Sequence, residues 1–257
     1  MTRENVLLLS KVTKTFGGLA AASNVNMHLK KNELVGLIGP NGAGKTTLFN
    51  LLTGVYKPTT GGITFHDTSI TGLKPFQITQ MGIGRTFQNI RLFANLSVLD
   101  NVRIAHHMHA TYGVLSSLLR SKAFFFGEAL IKDKAMELLS IFNLDDKASE
   151  IAKNLPYGEQ RRLEIARALA VQPKILLLDE PAAGMNPQET QELADLIRFV
   201  REKFDLTVLL IEHDMSLVMR ICERIYVLDY GMIIAEGTPD EIKDNPKVIE
   251  AYLGEEA

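Results

Sequence analysis

Gly39-Pro40-Asn41-Gly42-Ala43-Gly44-Lys45-Thr46-Thr47 decides the fold of this chain. The stretch fits the pattern G-x-x-x-x-G-K-[ST], which has mechanical meaning only between a strand and a helix. Residues 34–38, Leu-Val-Gly-Leu-Ile, form an apolar strand-like run before it, and residues 46–53 form a helix-like run closed by Gly54. Glycine lets the backbone curl so that successive N–H groups point inward at phosphate oxygens. Gly39, Asn41, Gly42, Ala43, Gly44 and Thr47 belong to that cradle, Lys45 reaches the terminal phosphates, and the Thr46 hydroxyl completes a Mg²⁺ shell. The strand–loop–helix context sets the match apart from a Gly-rich turn that fits by chance. The chain is expected to bind a nucleoside triphosphate with Mg²⁺.

Working outward, 257 residues with 46% hydrophobic content suffice for a sizeable core without a disulfide or metal staple. The formal net charge of −2 argues against a general nucleic-acid binder, so phosphate recognition has to be local. Cys222 lies alone in an apolar stretch and reads as a buried structural thiol. No apolar run reaches the ~20 residues of a membrane span, and residues 6–9 are too short for a signal sequence. A cytoplasmic protein, held at a membrane only through partners, is the expectation.

From Val6 to Phe65 short β-rich runs alternate with Gly17-Gly18 and Gly61-Gly62, which suggests antiparallel strands beside the strand that enters the phosphate loop. The character then turns helical. Ser97-Val98-Leu99-Asp100 reads as a capping box, and residues 132–142 carry Ala135, Leu138, Leu139 and Phe142 on one face. After Leu155 the βα alternation returns. Ile175-Leu176-Leu177-Leu178 is apolar throughout, as in a parallel strand covered on both faces. Asn186-Pro187-Gln188-Glu189 is a helix start whose helix is expected to bury Leu193, Leu196, Ile197, Val200 and Phe204; Thr238-Pro239-Asp240-Glu241 is another start. The organisation is α/β, with a nucleotide-binding core over 1–91 and 155–257 and an inserted helical part over 92–154.

Asp179-Glu180 follows the strand at 175–178, where open α/β sheets bind their ligands. Asp179 can hold Mg²⁺ through water, and Glu180 can take a proton from an attacking water. An acidic turn after a buried strand is the plain alternative. His213, after the next strand, can bond a γ-phosphate or orient water, or be an ordinary loop histidine. Gln88, at the hand-over to the helical part, can ligate Mg²⁺ and water, but carries little weight by itself.

Leu155-Pro156-Tyr157-Gly158-Glu159-Gln160-Arg161-Arg162-Leu163, in order with these motifs, resembles the signature of the ATP-binding cassette family. The resemblance covers essentially the whole chain. It implies a P-loop fold with a mainly parallel sheet, an antiparallel β part and a helical insertion. It further implies an ATP hydrolase working as a head-to-tail dimer, homomeric or heteromeric, with two ATP molecules sandwiched. Tyr157, Gly158, Glu159 and Gln160 would face the partner's nucleotide, Glu180, His213 and Gln88 would serve catalysis, and Phe16 would stack on adenine. Two departures stand out: Pro156 and Tyr157 replace the common serine and first glycine, and Asn186 stands where many members have aspartate. Proline offers neither hydroxyl nor backbone donor, so one contact to the γ-phosphate is lost.

Residues 82–93, 157–165, 181–187 and 245–254 are most similar to the ATP-binding subunits of branched-chain amino acid importers. Relatives for urea import and lipopolysaccharide export share several of these stretches. The resemblance implies transmembrane permease partners, an indirect link to a substrate-binding protein, and a place on the cytoplasmic face of the membrane. A soluble cassette acting on ribosomes or DNA is the rival, and a non-catalytic regulator a third reading. Residues 90–93 are the expected permease contact. The cluster Tyr112, Val114, Leu115, Leu118, Leu119 and 124–126 is expected to be core, with a permease docking surface as the lesser reading. His106, His107 and His109, which lack a carboxylate or cysteine partner for a metal site, are expected to be a solvated helix end.

Overall fold

A computed structural model of the protein describes residues 4–253. The chain opens with β1 (Asn5–Phe16), β2 (Leu19–Lys30), β3 (Leu34–Ile38) and α1 (Lys45–Leu52). Then come β4 (Thr60–Phe65), β5 (Thr68–Ser69), α2 (Pro75–Met81) and β6 (Ile83–Arg85). The helical stretch holds α3 (Val98–His106), α4 (Val114–Leu118), α5 (Lys122–Ile141) and α6 (Tyr157–Ala170). β7 (Ile175–Asp179), α7 (Pro187–Lys203), β8 (Thr207–Ile211), α8 (Met215–Ile221) and β9 (Arg224–Asp229) follow. β10 (Met232–Gly237), α9 (Pro239–Lys243) and α10 (Pro246–Leu253) close the chain, and Gly254 of the C-terminal stretch lies outside the described residues. Two compact units result: one up to Arg85 and from Lys174 onward, the other from Thr86 to Pro173.

In the first unit β10-β9-β3-β8-β7-β6 form one sheet, parallel except for the β9–β10 pair. Every residue of β3, β7 and β8 is buried, which explains their unbroken apolar sequences: both faces of these strands are covered. A second sheet, β2-β1-β4-β5, is antiparallel, as expected for the N-terminal part. Asn186 caps α7 by accepting from the Gln188 and Glu189 N–H groups at 3.0 Å, while Glu189 accepts from the Asn186 N–H at 2.9 Å. Such a box contributes about 1 kcal/mol. α7 buries Leu193, Ile197 and Val200, but Phe204 is exposed: it terminates the helix as its C-cap and leaves the stripe. Cys222 is buried, and burial pushes its thiol up, which suits an inert core residue.

The second unit is helical. Ser97 caps α3, with the Asp100 N–H donating to its Oγ at 3.0 Å. α5 buries Ile131, Ala135 and Leu139, with Phe142 just beyond it. Two expectations fail here. Val114, Leu118 and Phe126 are 87%, 78% and 73% exposed, so the apolar cluster at 114–126 is surface. α4 has only five residues and buries none of them, and Phe125 and Phe126 lie on the exposed face of α5. Tyr112 and Phe124 do pack edge to face, with centroids 5.2 Å apart. His106, in turn, is buried and not solvated: its Nδ1 donates to the Ala170 carbonyl at 2.9 Å. Burial lowers its pKa, so it stays neutral. His109 bonds the Val171 carbonyl at 2.9 Å, and His107 meets Glu128 at 3.2 Å.

Candidate functional site

The site of the first unit begins where β3 ends. Gly39 and Gly44 have φ of +147° and +106°, and a Cβ on them would lie 1.9 Å from the Leu228 carbonyl oxygen and 2.3 Å from that of Ala21. Only glycine permits this loop path. Gly44 is also the N-cap of α1 and supplies no side chain there. The phosphate loop thus leads straight into the N-terminus of α1, where the helix dipole favours an anion. Lys45 is buried, with its Nζ donating to the Gly39 and Pro40 carbonyls at 2.6 and 2.8 Å. Asn41 and Thr46 are exposed on the loop and first turn.

β3 lies beside β8 and β8 beside β7, all parallel, so their C-terminal ends share one edge. Asp179 ends β7 in register with Ile211, the last residue of β8. That edge therefore carries the phosphate loop, Asp179, Glu180 and His213 together. Asp179 accepts from Arg85 at 2.8 Å, with side chains 3% and 7% exposed. The same guanidinium bonds Asn50 Oδ1 at 2.7 Å and Thr53 Oγ1 at 3.2 Å on and just after α1. Glu180 takes a left-handed turn, φ +48°, and its Oε1 stands 2.8 Å from Nε2 of His213. Left-handed backbone costs a non-glycine residue roughly 1–2 kcal/mol, and it aims the Glu180 side chain off the strand. Phe16, half exposed, packs edge to face on Tyr56 at 5.1 Å, with the Lys14 Nζ 4.9 Å from its ring.

The second unit gathers the remaining predicted residues. Gln88 is exposed in the loop after Thr86, and Tyr157 opens α6 with Pro156 as its N-cap. Arg161 donates to the Phe87 carbonyl at 2.8 Å and to the Gln88 carbonyl. Glu164 accepts from the Arg91 N–H at 3.2 Å and lies 3.3 Å from Arg161. The Gln88 loop is thus fastened to the helix that carries Gly158. Gln160 Nε2 donates to the Leu155 carbonyl at 2.8 Å. Glu159 is held by Lys147 at 2.6 Å, an ion pair that nothing in the spacing announced.

A family model described as "ABC transporter" matches residues 22–183, a span holding the phosphate loop, Gln88, residues 157–160 and Asp179-Glu180. This chain belongs to the ABC transporter family. A second model, for the branched-chain amino acid ATP-binding cassette transporter, matches residues 232–257. The cassette is 51% identical over 250 residues to the high-affinity branched-chain amino acid transport ATP-binding protein LivG of Salmonella typhimurium, covering 97% of this chain and 98% of that protein. Its fold superposes on the ADP conformation of an ATP-binding cassette of an ABC transporter with a TM-score of 0.85 and 31% identity, covering 98% and 99% of the two chains. It also matches a dimeric cassette in a post-hydrolysis state bound to ADP and Pi, with a TM-score of 0.77 and 28% identity over 91% of this chain and 98% of that one.

Several residues that shape this cassette's site escaped the sequence reading. Arg85 bonds a partner 94 positions away, which no local spacing announces. Tyr56 carried no pattern that linked it to Phe16. Glu212, next to His213, is 3% exposed and accepts main-chain hydrogen bonds. No helix among the described residues is long and apolar enough to cross a membrane.

Proposed function

We propose that this cassette is the ATP-hydrolysing subunit of an importer for branched-chain amino acids. The observation that carries the catalytic part is the Glu180–His213 hydrogen bond at the strand edge from which the phosphate loop emerges. The substrate class rests on the likeness to LivG over nearly the full chain and on the C-terminal family match.

Gly39 to Thr47 and the first turn of α1 would hold the phosphates, with Lys45 turning from the loop carbonyls to the β and γ groups. Thr46, Asp179 and Gln88 would hold Mg²⁺. The Thr46 hydroxyl and the Asp179 carboxylate, both on the first unit, are hard oxygen donors and leave positions for phosphate and water, which suits a small hard ion. When bound there, Mg²⁺ would supply neutralisation of the phosphate charge. Glu180 then takes the proton from the attacking water, and His213 fixes the Glu180 carboxylate and supports the γ-phosphate. Phe16, with Tyr56 behind it, offers a ring face for adenine. In a head-to-tail dimer, Tyr157, Gly158, Glu159 and Gln160 would close over the partner's nucleotide; a relative that is dimeric with ADP and Pi bound supports the dimer itself. Opening and closing would drive permease subunits, placing the cassette on the cytoplasmic face of the membrane, downstream of a substrate-binding protein.

The test is to purify the cassette with its co-expressed permease, reconstitute vesicles and follow leucine uptake. ATP-dependent uptake with phosphate release is expected. Phosphate release without uptake of leucine, isoleucine or valine would overturn the substrate class; no phosphate release would overturn the enzyme.

A further inference from the structure

Glu212 is a buried carboxylate whose oxygens, among the described residues, bond to main-chain N–H groups alone. Oε1 accepts from Ala182 at 2.7 Å, Oε2 accepts from His213 at 3.1 Å, and Asp214 adds a backbone donor. Burying a carboxylate without a cationic partner is costly, and an apolar side chain would fill the same space without that cost. The placement of its acceptors accounts for the choice. Ala182 belongs to the turn after β7, closed by Ala183 N–H to Glu180 O at 3.2 Å and Met185 N–H to Ala182 O at 3.0 Å. The turn is also tied to β8 by the Glu180 N–H, which donates to the Ile211 carbonyl at 2.9 Å.

These links close a ring. It runs from the Glu180 side chain to the His213 side chain, through the His213 main chain to Glu212, across to Ala182 and back to Glu180. The ring has one polar side chain that touches neither water nor phosphate in the proposed reaction, and it is Glu212. We propose that Glu212 is a positioning residue that locks the turn bearing Glu180 to the turn bearing His213, setting the separation of the two catalytic side chains. This rests on the reading of Glu180 as the base and His213 as its partner. Without the lock, each turn relaxes on its own, and the Glu180 carboxylate loses its aim while the phosphate loop on β3 is untouched.

Glu212→Gln tests this. The amide keeps one acceptor, so either Ala182 or the N–H groups of His213 and Asp214 must face an NH₂ and give way. Steady-state phosphate release should show kcat reduced roughly 10- to 100-fold with KM for ATP unchanged, the signature of lost alignment. In a His213→Ala background the Glu212→Gln substitution should add almost nothing, because the lock then has nothing to align. A Glu212→Gln enzyme with wild-type kcat would overturn the proposal, and so would losses that multiply in the double variant, which mean general loosening. Glu180→Gln run alongside separates the two readings. If Glu180→Gln turns over normally, the assignment of the base fails; if it is inactive while Glu212→Gln is unimpaired, only the lock fails.

Discussion

Nε2 of His213 and Oε1 of Glu180 lie 2.8 Å apart, each on the turn that follows a buried parallel strand. The bond joins residues 33 positions apart and puts the proposed base and its partner in contact. His213→Ala removes the bond and leaves the phosphate loop intact. ATP affinity should be retained while kcat falls roughly 10²-fold, the usual weight of a group that serves proton transfer. Nucleotide-binding titration beside phosphate-release kinetics checks this; equal losses in both would place His213 in binding alone.

Arg85 and Asp179 make the buried ion pair of the strand edge. Removing the cation leaves a carboxylate in a site with little water, which typically costs about 3–5 kcal/mol. Arg85→Ala should lower the urea unfolding midpoint by a corresponding amount. An unchanged midpoint would mean that neither the pair nor the bonds from Arg85 to Asn50 and Thr53 stabilise the fold.

Pro156 caps α6 without a side-chain hydrogen bond. Serine there restores an oxygen that can accept from the first turn, worth about 1 kcal/mol, and adds a backbone donor toward the partner's nucleotide. Pro156→Ser should raise the melting temperature and tighten ATP-driven dimerisation in light scattering. Unchanged dimerisation would show that the partner face does not depend on this position.

Burial holds the Glu212 carboxyl above its ordinary value of 4.5, with the nearby Glu180 charge adding to the shift. An acid with a raised folded-state pKa binds its proton more readily folded than unfolded. Its contribution therefore favours the fold as pH falls from neutral toward 4.5 and is lost as pH rises through the raised value. Glu212→Gln removes that dependence, so wild-type stability should improve relative to the variant on acidification. Melting curves at several pH values measure it, and a constant difference would contradict the shift.

The strands and caps were legible because their signals are local. The apolar runs at 34–38 and 175–178, and the Asn186 box, depend on neighbours in sequence, and each appears where expected. The motif order placed the phosphate loop, Asp179, Glu180 and His213 on one edge because parallel strands put their ends together. Arg85 and Glu212 were not legible, since a side chain bonding across 94 or 30 positions leaves no spacing to read. The cluster at 114–126 misled for a different reason. Apolar composition does not force burial: no residue of α4 is buried, and Phe125 and Phe126 stay exposed on α5 although that helix buries Ile131, Ala135 and Leu139.

The most direct measurement is ATP turnover by Glu180→Gln in the purified cassette. With the carboxylate replaced by an amide, the water keeps a hydrogen-bond partner but has no group to take its proton. Bound ATP should remain unhydrolysed and the protein should collect as a closed dimer, with phosphate release falling by at least about 10²-fold. Phosphate release near the wild-type rate would contradict Glu180 as the base.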